Sequence, residues 1–81
     1  MASLTLEHVL KFPEKMNRFT TVRIRSGQWR SWWRPGGNGY TDAKELAGIF
    51  TAEDALKTAR HCGAEKKISF HAVGPLRIST P

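Results

Sequence analysis

Apolar and polar residues alternate most regularly over 19–25, FTTVRIR, where β-branched residues dominate. A period of two with this composition is typical of a strand that buries one face. Ser26-Gly27 follows as a turn pair, and QWRSWWR follows as a second run with strand character. The sequence therefore predicts a β-hairpin over about 19–33.

The turn also predicts which side chains share a face. A two-residue turn places Arg25 opposite Gln28 and Ile24 opposite Trp29. A register shifted by one residue would mix apolar and polar side chains on both faces, so we expect the segregated register. Trp29 and Trp33 are then predicted core residues. The polar face of the hairpin carries Arg23, Arg25, Gln28, Arg30 and Trp32.

The spacing of apolar residues becomes helical over about 52–62. Thr51 is a suitable N-terminal cap, Glu53 and Asp54 suit the first turn, and Gly63 is a natural end. One apolar stripe is formed by Ala55, Leu56, Ala59 and Cys62. A third strand, KISFHAV, is predicted over about 67–73.

The remaining segments are short and less regular. Residues 4–12 fit either a helical turn or an early strand, and 13–18 is predicted as a loop, so the structure of 1–18 stays open. Residues 42–46 can form one helical turn, Ile49-Phe50 can add an edge strand, and 75–81 is a short last strand or a loose tail. The order of elements predicts one α+β domain over 1–81, with an antiparallel sheet of three to four strands packed on one helix.

The charge of the chain suggests the kind of partner. Thirteen Lys and Arg stand against seven Asp and Glu, for a formal net charge of +6. A positive field of this size on a small domain attracts polyanions. The composition, 40% hydrophobic and 25% charged, is that of a folded domain and not of a disordered chain.

The sequence also indicates a compartment. Cys62 is the one cysteine, which excludes an intrachain disulfide. No run approaches the roughly 20 apolar residues of a membrane span. The N-terminus has Glu7 within its apolar stretch and lacks a basic leader, unlike a signal peptide. We expect a cytoplasmic protein without membrane contact.

Catalytic and metal chemistry have weak support. No ligand spacing links His8, His61, Cys62 and His71, so neither a metal nor another cofactor is expected. Cys62 falls on the apolar stripe and is predicted to be a buried structural thiol. His71 with a carboxylate such as Glu65 leaves a small RNase-like toxin as a minor alternative. The main expectation is a protein that is not an enzyme.

The run from Arg34 to Ala55, RPGGNGYTDAKELAGIFTAEDA, resembles small uncharacterised proteins of bacteriophages and prophages. In those proteins an Arg-Pro-x-Gly-x-Gly-Tyr-Thr loop precedes Ala-Gly, an aromatic residue, Ser or Thr, and a Glu-Ala helix start. The matching residues are Arg34, Pro35, Gly39, Tyr40, Thr41, Ala47, Gly48, Phe50, Thr51, Glu53 and Ala55. The resemblance implies a phage setting, in which small proteins, anti-CRISPR proteins among them, block host systems. It implies no chemistry.

The loop PGGNG leaves two interpretations, a tight bend or a phosphate cradle. It lacks the Lys-Ser/Thr that follows the glycines of a P-loop, which favours the bend. The stronger binding candidate is the polar face of the hairpin. Arginines neutralise phosphates, and a ring among them offers a platform for a base.

Arg34 and Tyr40 flank the hairpin and can extend this predicted binding face. The same face can dock on an acidic protein surface, because Trp and Arg are preferred anchors. Two functions follow as expectations. One is a phage-type modulator or inhibitor of a host defence or nucleic-acid-processing system. The other is a stand-alone nucleic-acid-binding module. A homodimer is possible in either case.

Overall fold

Within the described residues, a six-stranded antiparallel sheet packs one of its sides against both helices. The structure is a computed structural model and describes residues 3–73. The strands are β1 (Ser3–Thr5), β2 (Thr21–Ser26), β3 (Ser31–Trp33), β4 (Tyr40–Thr41), β5 (Phe50–Thr51) and β6 (Ile68–Val73). The helices are α1 (Leu6–Lys11) and α2 (Ala52–Ala59). Short 3-10 turns span Pro13–Arg18, Pro35–Gly37, Lys44–Leu46 and Ala64–Lys66.

β2 is the central strand of the sheet, whose order is β1-β6-β2-β3-β4. β6 pairs along the whole length of β2. On the other side, β5 pairs with Thr21 and Val22, while β3 pairs with Arg25 and Ser26. The predicted α+β class is confirmed, but the predicted three to four strands were too few. The additional strands have only two or three residues, too short for an alternating pattern to show in the sequence.

The core lies between the sheet and the helices. Val22, Ile24 and Phe70 have no exposed surface and form its sheet side. The helical side of the core is formed by α1, the first 3-10 turn and α2, together with Phe19. Its buried side chains are Leu6, Val9, Met16, Phe19, Ala55 and Ala59. Each large side chain buried here contributes about 1.5–3 kcal/mol. The alanines of α2 let that helix approach the sheet closely.

Capping sets where both helices begin. The Thr51 Oγ1 accepts a hydrogen bond from the Asp54 N–H at 3.1 Å, as the sequence predicted. The Thr5 Oγ1 does the same for the His8 N–H. α2 ends at Ala59, three residues before the predicted end at 62. The Cys62 N–H donates to the Ala59 carbonyl, so the last turn tightens and the helix stops.

The N-terminal segment contains both of the structures that the sequence left open. Ser3–Thr5 is a strand that pairs with β6, and α1 follows directly. The predicted loop 13–18 is a 3-10 turn whose Met16 is buried in the core. The predicted tail, 75–81, lies outside the described residues.

The hairpin register differs from the predicted one. Its turn has four residues, 27–30, and Arg25 lies opposite Trp32 instead of Gln28. The Gly27 and Gln28 N–H groups donate to the carbonyls of Lys67 and Lys66, which holds the turn against that segment. A Cβ on Gly27 would lie 2.8 Å from the Lys67 Cβ, so the close approach requires glycine.

The change in register moves the partner by four residues, an even number, so each strand residue keeps its predicted face. Trp33 therefore packs against the core as predicted. Trp29 was predicted to be core as well, and this was wrong. It lies in the turn with 58% of its surface exposed.

The PGGNG loop forms a tight bend next to Trp33. Gly36 and Gly39 have φ values of 70° and 96°, which favour glycine. The Gly48 N–H donates to the Trp33 carbonyl at 2.8 Å. A Cβ on Gly48 would lie 2.8 Å from the Pro35 Cα, so the bend packs directly on Gly48.

Candidate functional site

The side of the sheet opposite the helices is polar and basic, and we call it the open face. Its members follow from strand pairing, because residues opposite each other point to the same side. Arg23 lies opposite His71, and Arg25 lies opposite both Ser69 and Trp32. The remaining positions are Ser3, Thr5, Thr21, Thr41, Thr51 and Val73. None of these residues is fully buried.

Trp32 is at the centre of a cluster of cations on the open face. The Arg25 guanidinium carbon lies 5.9 Å from the Trp32 ring centroid, and the Lys44 Nζ lies 5.6 Å from it. The His71 ring meets the Trp32 ring edge-on, with centroids 5.1 Å apart. A cation over a partly exposed ring contributes about 0.5–1 kcal/mol. Trp32 therefore holds positive charges in place.

Lys44 reaches this cluster because the chain turns sharply after β4. The Thr41 Oγ1 accepts a hydrogen bond from the Ala43 N–H at 3.1 Å. This bond bends the chain into the 3-10 turn Lys44–Leu46, which brings the lysine over Trp32.

His71 lies in the same cluster and is hydrogen-bonded to Ser69. Its Nε2 lies 2.8 Å from the Ser69 Oγ. Burial, and then the charges of Arg25 and Lys44, lower the pKa of His71 below its usual 6.5. The imidazole is therefore neutral at pH 7. The Glu65 carboxylate lies against Gly63.

The electrostatics of the open face favour an anionic ligand. In the strands described, no open-face position carries Asp or Glu. The Arg23 Nε is buried and has no acceptor within residues 3–73. A buried donor without a partner costs about 1–3 kcal/mol of stability.

The structure brings together only part of the predicted binding face. Arg23, Arg25 and Trp32 lie on the open face, whereas Gln28 and Arg30 are exposed in the turn. Arg34 is exposed just beyond β3 in extended backbone. Tyr40 lies opposite Trp33, on the other side of the sheet from Trp32.

Sequence reasoning missed Lys44 and Ser69 as members of the site and did not place His71 beside Trp32. In KISFHAV, Ser69 and His71 alternate with Ile68 and Phe70, so the two polar side chains share one face of the strand. The pairing of β6 with β2 puts that pair next to the arginines, and nothing local in the sequence reports this pairing.

Cys62 is half-buried rather than fully buried as predicted. It lies beyond the end of α2 and packs beside the core. Burial raises the pKa of its thiol, which makes the thiol a poor nucleophile at neutral pH. It lines a groove of about 380 Å³ with Leu6, Leu10 and Ile68.

Two further findings concern metals and membranes. In the part of the chain that the structure describes, no three His, Cys, Asp or Glu side chains are grouped to hold a metal ion. Within the same residues, neither helix has the length and apolar character needed to cross a bilayer.

Comparison with protein-family models, with curated proteins and with solved structures gave no match to this chain.

Proposed function

We propose that this protein is a non-enzymatic binding protein whose open face binds a polyanion, with single-stranded nucleic acid as the leading candidate. The observation that carries the proposal is the cluster at Trp32. Arg25, Lys44 and the neighbouring Arg23 concentrate positive charge on a sheet face whose described strand positions carry no carboxylate.

Single-stranded nucleic acid suits this surface for two reasons. A flat sheet face with cations and an aromatic ring can follow a phosphate backbone and accept unpaired bases. The Thr41 hydroxyl beside Trp32 accepts a hydrogen bond from the Ala43 N–H and keeps its own proton, which it can donate to a phosphate oxygen.

An acidic protein surface is the second candidate, and one observation favours it. Arg25 and Lys44 already lie over the Trp32 ring, so a carboxylate can pair with them without displacing either one. Under this alternative the protein is a phage-type modulator or inhibitor of a host defence or nucleic-acid-processing system, in the cytoplasm of a bacterium. The support for that setting is the resemblance of the segment from Arg34 to Ala55.

Tryptophan fluorescence tests the leading candidate. The protein is titrated with single-stranded DNA, duplex DNA and RNA at low and at physiological salt. If Arg23, Arg25 and Lys44 each neutralise one phosphate, log K should fall with log salt with a slope of about −2 on a single strand. The double variant R23E/R25E should lose binding at physiological salt.

The matched control is K15E/R18E, which changes the net charge equally at two exposed residues of the first 3-10 turn. Equal loss in both double variants would show that only net charge matters and would contradict a role for the open face. If no nucleic acid binds, the leading candidate is wrong. The acidic-protein candidate is then tested by capture from a bacterial lysate, with Trp32→Ala as the negative control.

A further inference from the structure

A second aromatic group lies at the hairpin turn and on the opposite side of β3 and β4 from Trp32. The Trp29 and Tyr40 rings have centroids 6.4 Å apart and are tilted by 39°. Tyr40 also meets Trp33 edge-on, with centroids 6.5 Å apart. Trp29 is 58% exposed and Tyr40 is 44% exposed. We call these two exposed rings the Trp29–Tyr40 pair.

The backbone holds Trp29 in this exposed position. The Trp29 N–H donates to the Ser26 Oγ at 3.4 Å, and the Ser31 Oγ donates to the Trp29 carbonyl at 3.0 Å. Both serines are buried. The ring is therefore presented by a turn anchored at both ends, which lowers the entropy lost on binding.

The Trp29–Tyr40 pair differs from Trp32 in what surrounds its rings. Trp32 has Arg25 and Lys44 over its ring and His71 at its edge. In the described part of the chain, the ring partner of Trp29 is Tyr40 alone, without a cation. Trp32 is thus suited to holding cations for phosphates, while the Trp29 ring is free to stack.

The two sites meet at one edge of the sheet. Tyr40 and Thr41 are consecutive in β4, so their side chains point to opposite sides. Thr41 lies opposite Trp32 and Tyr40 lies opposite Trp33. A single strand that crosses this short edge can contact the open face and the Trp29–Tyr40 pair together.

The charges beside the pair indicate the ligand. Arg30 follows Trp29 directly and Arg34 follows β3, and both side chains are exposed. The carboxylate on this side of β4, Asp42, lies 3.0 Å from the same Ser31 Oγ and shares its single proton with the Trp29 carbonyl. Exposed rings with arginines beside them match a ligand that has flat bases joined by phosphates.

We propose that Trp29 and Tyr40 stack on bases of the nucleic-acid strand whose phosphates the open face binds. This inference rests on the proposed function and adds to it. Phosphates are bound mainly on one side of the sheet, and bases mainly at the turn on the other side.

The test compares two probes with equal phosphate counts, an oligothymidine and an abasic oligomer of the same length. Binding of each is followed by fluorescence anisotropy of a dye on the oligomer. Trp29→Ala should weaken binding of the oligothymidine about tenfold, the lower range of what one stacked base contributes. Binding of the abasic oligomer should stay within about twofold, because its phosphate contacts remain.

Tyr40→Ala should act in the same direction, and Trp29→Phe should retain most of the affinity because a ring remains. The control is Phe12→Ala, which removes an exposed ring next to α1. Equal affinity of wild type and Trp29→Ala for the oligothymidine would overturn the stacking site while leaving the proposed function intact. Failure of the wild type to bind either oligomer would overturn both.

Discussion

The same strands form both faces of the sheet, but one face packs in the core and the other is the polar open face. In β2, Val22 and Ile24 have no exposed surface, while Arg23 and Arg25, which alternate with them, are half-buried on the other side. In β6, Phe70 is buried in the core, whereas Ser69 and His71 belong to the open face. Along one strand, alternate side chains therefore either pack in the core and stabilise the fold or belong to the candidate binding site. The two properties should therefore respond to different substitutions.

The largest expected effect is at the covered face. Phe70→Ala removes the largest fully buried side chain of the described core and leaves a cavity. It should lower the free energy of unfolding by about 3–5 kcal/mol. That is a large part of the roughly 4–12 kcal/mol expected for a chain of this length. Urea denaturation followed by circular dichroism measures it, and a loss below about 1 kcal/mol would contradict the assignment of the core.

A matched pair of serines compares the faces directly. Ser26 is fully buried, and its Oγ donates to the Lys66 carbonyl and accepts from the Trp29 N–H. Ser26→Ala leaves buried groups unpaired and should cost about 1–2 kcal/mol of unfolding free energy. Ser69→Ala on the open face should cost about 0.5 kcal/mol or less. If the two substitutions lower the unfolding free energy equally in denaturant titrations, Ser69 is more enclosed than its half-buried position indicates.

Arg25→Glu should weaken binding strongly and change stability little, the reverse of what is expected for a core residue. Reversal at the centre of the cation cluster should weaken polyanion binding by about tenfold or more, because one phosphate contact becomes a repulsion. Unfolding free energy should change by no more than about 0.5 kcal/mol, since the side chain is not in the core. Isothermal titration calorimetry and denaturation of the same sample measure both quantities. A large loss of unfolding free energy with unchanged affinity would contradict the assignment of Arg25 to binding rather than to stability.

The smallest expected effect is the dependence of stability on pH through His71. Above pH 6.5, His71 is neutral in the folded and the unfolded chain, so it does not affect stability there. As the pH falls below 6.5, the unfolded chain takes up the proton first, because the folded-state pKa is lowered by burial and by Arg25 and Lys44. Stability should fall through this window and level off below the folded-state pKa.

His71→Gln should therefore lose less stability between pH 8 and pH 5 than the wild type, while His8 and His61 remain in both proteins. A bound polyanion favours the protonated imidazole, so affinity should rise on acidification in the wild type and less in His71→Gln. Thermal unfolding and anisotropy at several pH values test both statements. An identical pH dependence in the two proteins would contradict the effect of the cations on His71.

The sequence predicted what depends on local pattern. It located β2, β6, the start of α2 and the separation of Trp33 from Trp32, because alternation and capping are local properties. The face of each hairpin residue within a strand was right even though the register was wrong by four residues. An even shift leaves faces unchanged, so Arg23, Arg25 and Trp32 were grouped correctly, whereas Arg30 lies in the turn.

The sequence could not predict what depends on distant contacts. Trp29 was assigned to the core because a two-residue turn would have placed it in a strand. The observed turn is longer because Gly27 and Gln28 bond to Lys67 and Lys66 instead of closing a tight hairpin. The sequence predicted a helical turn over 42–46, but nothing in it places Lys44 of this 3-10 turn over Trp32. Short strands and turns of this kind are decided by tertiary contacts.

The most direct test of the central claim is to map the ligand by NMR. A 15N-labelled sample is titrated with oligothymidine, and amide and indole N–H shifts are followed. The account predicts the largest changes at alternate residues of β2 and β6, at the Trp32 indole and at the Trp29 indole, with α1 and α2 nearly unchanged. Changes concentrated on α1 and α2, or no change at any residue, would contradict binding of nucleic acid by the open face.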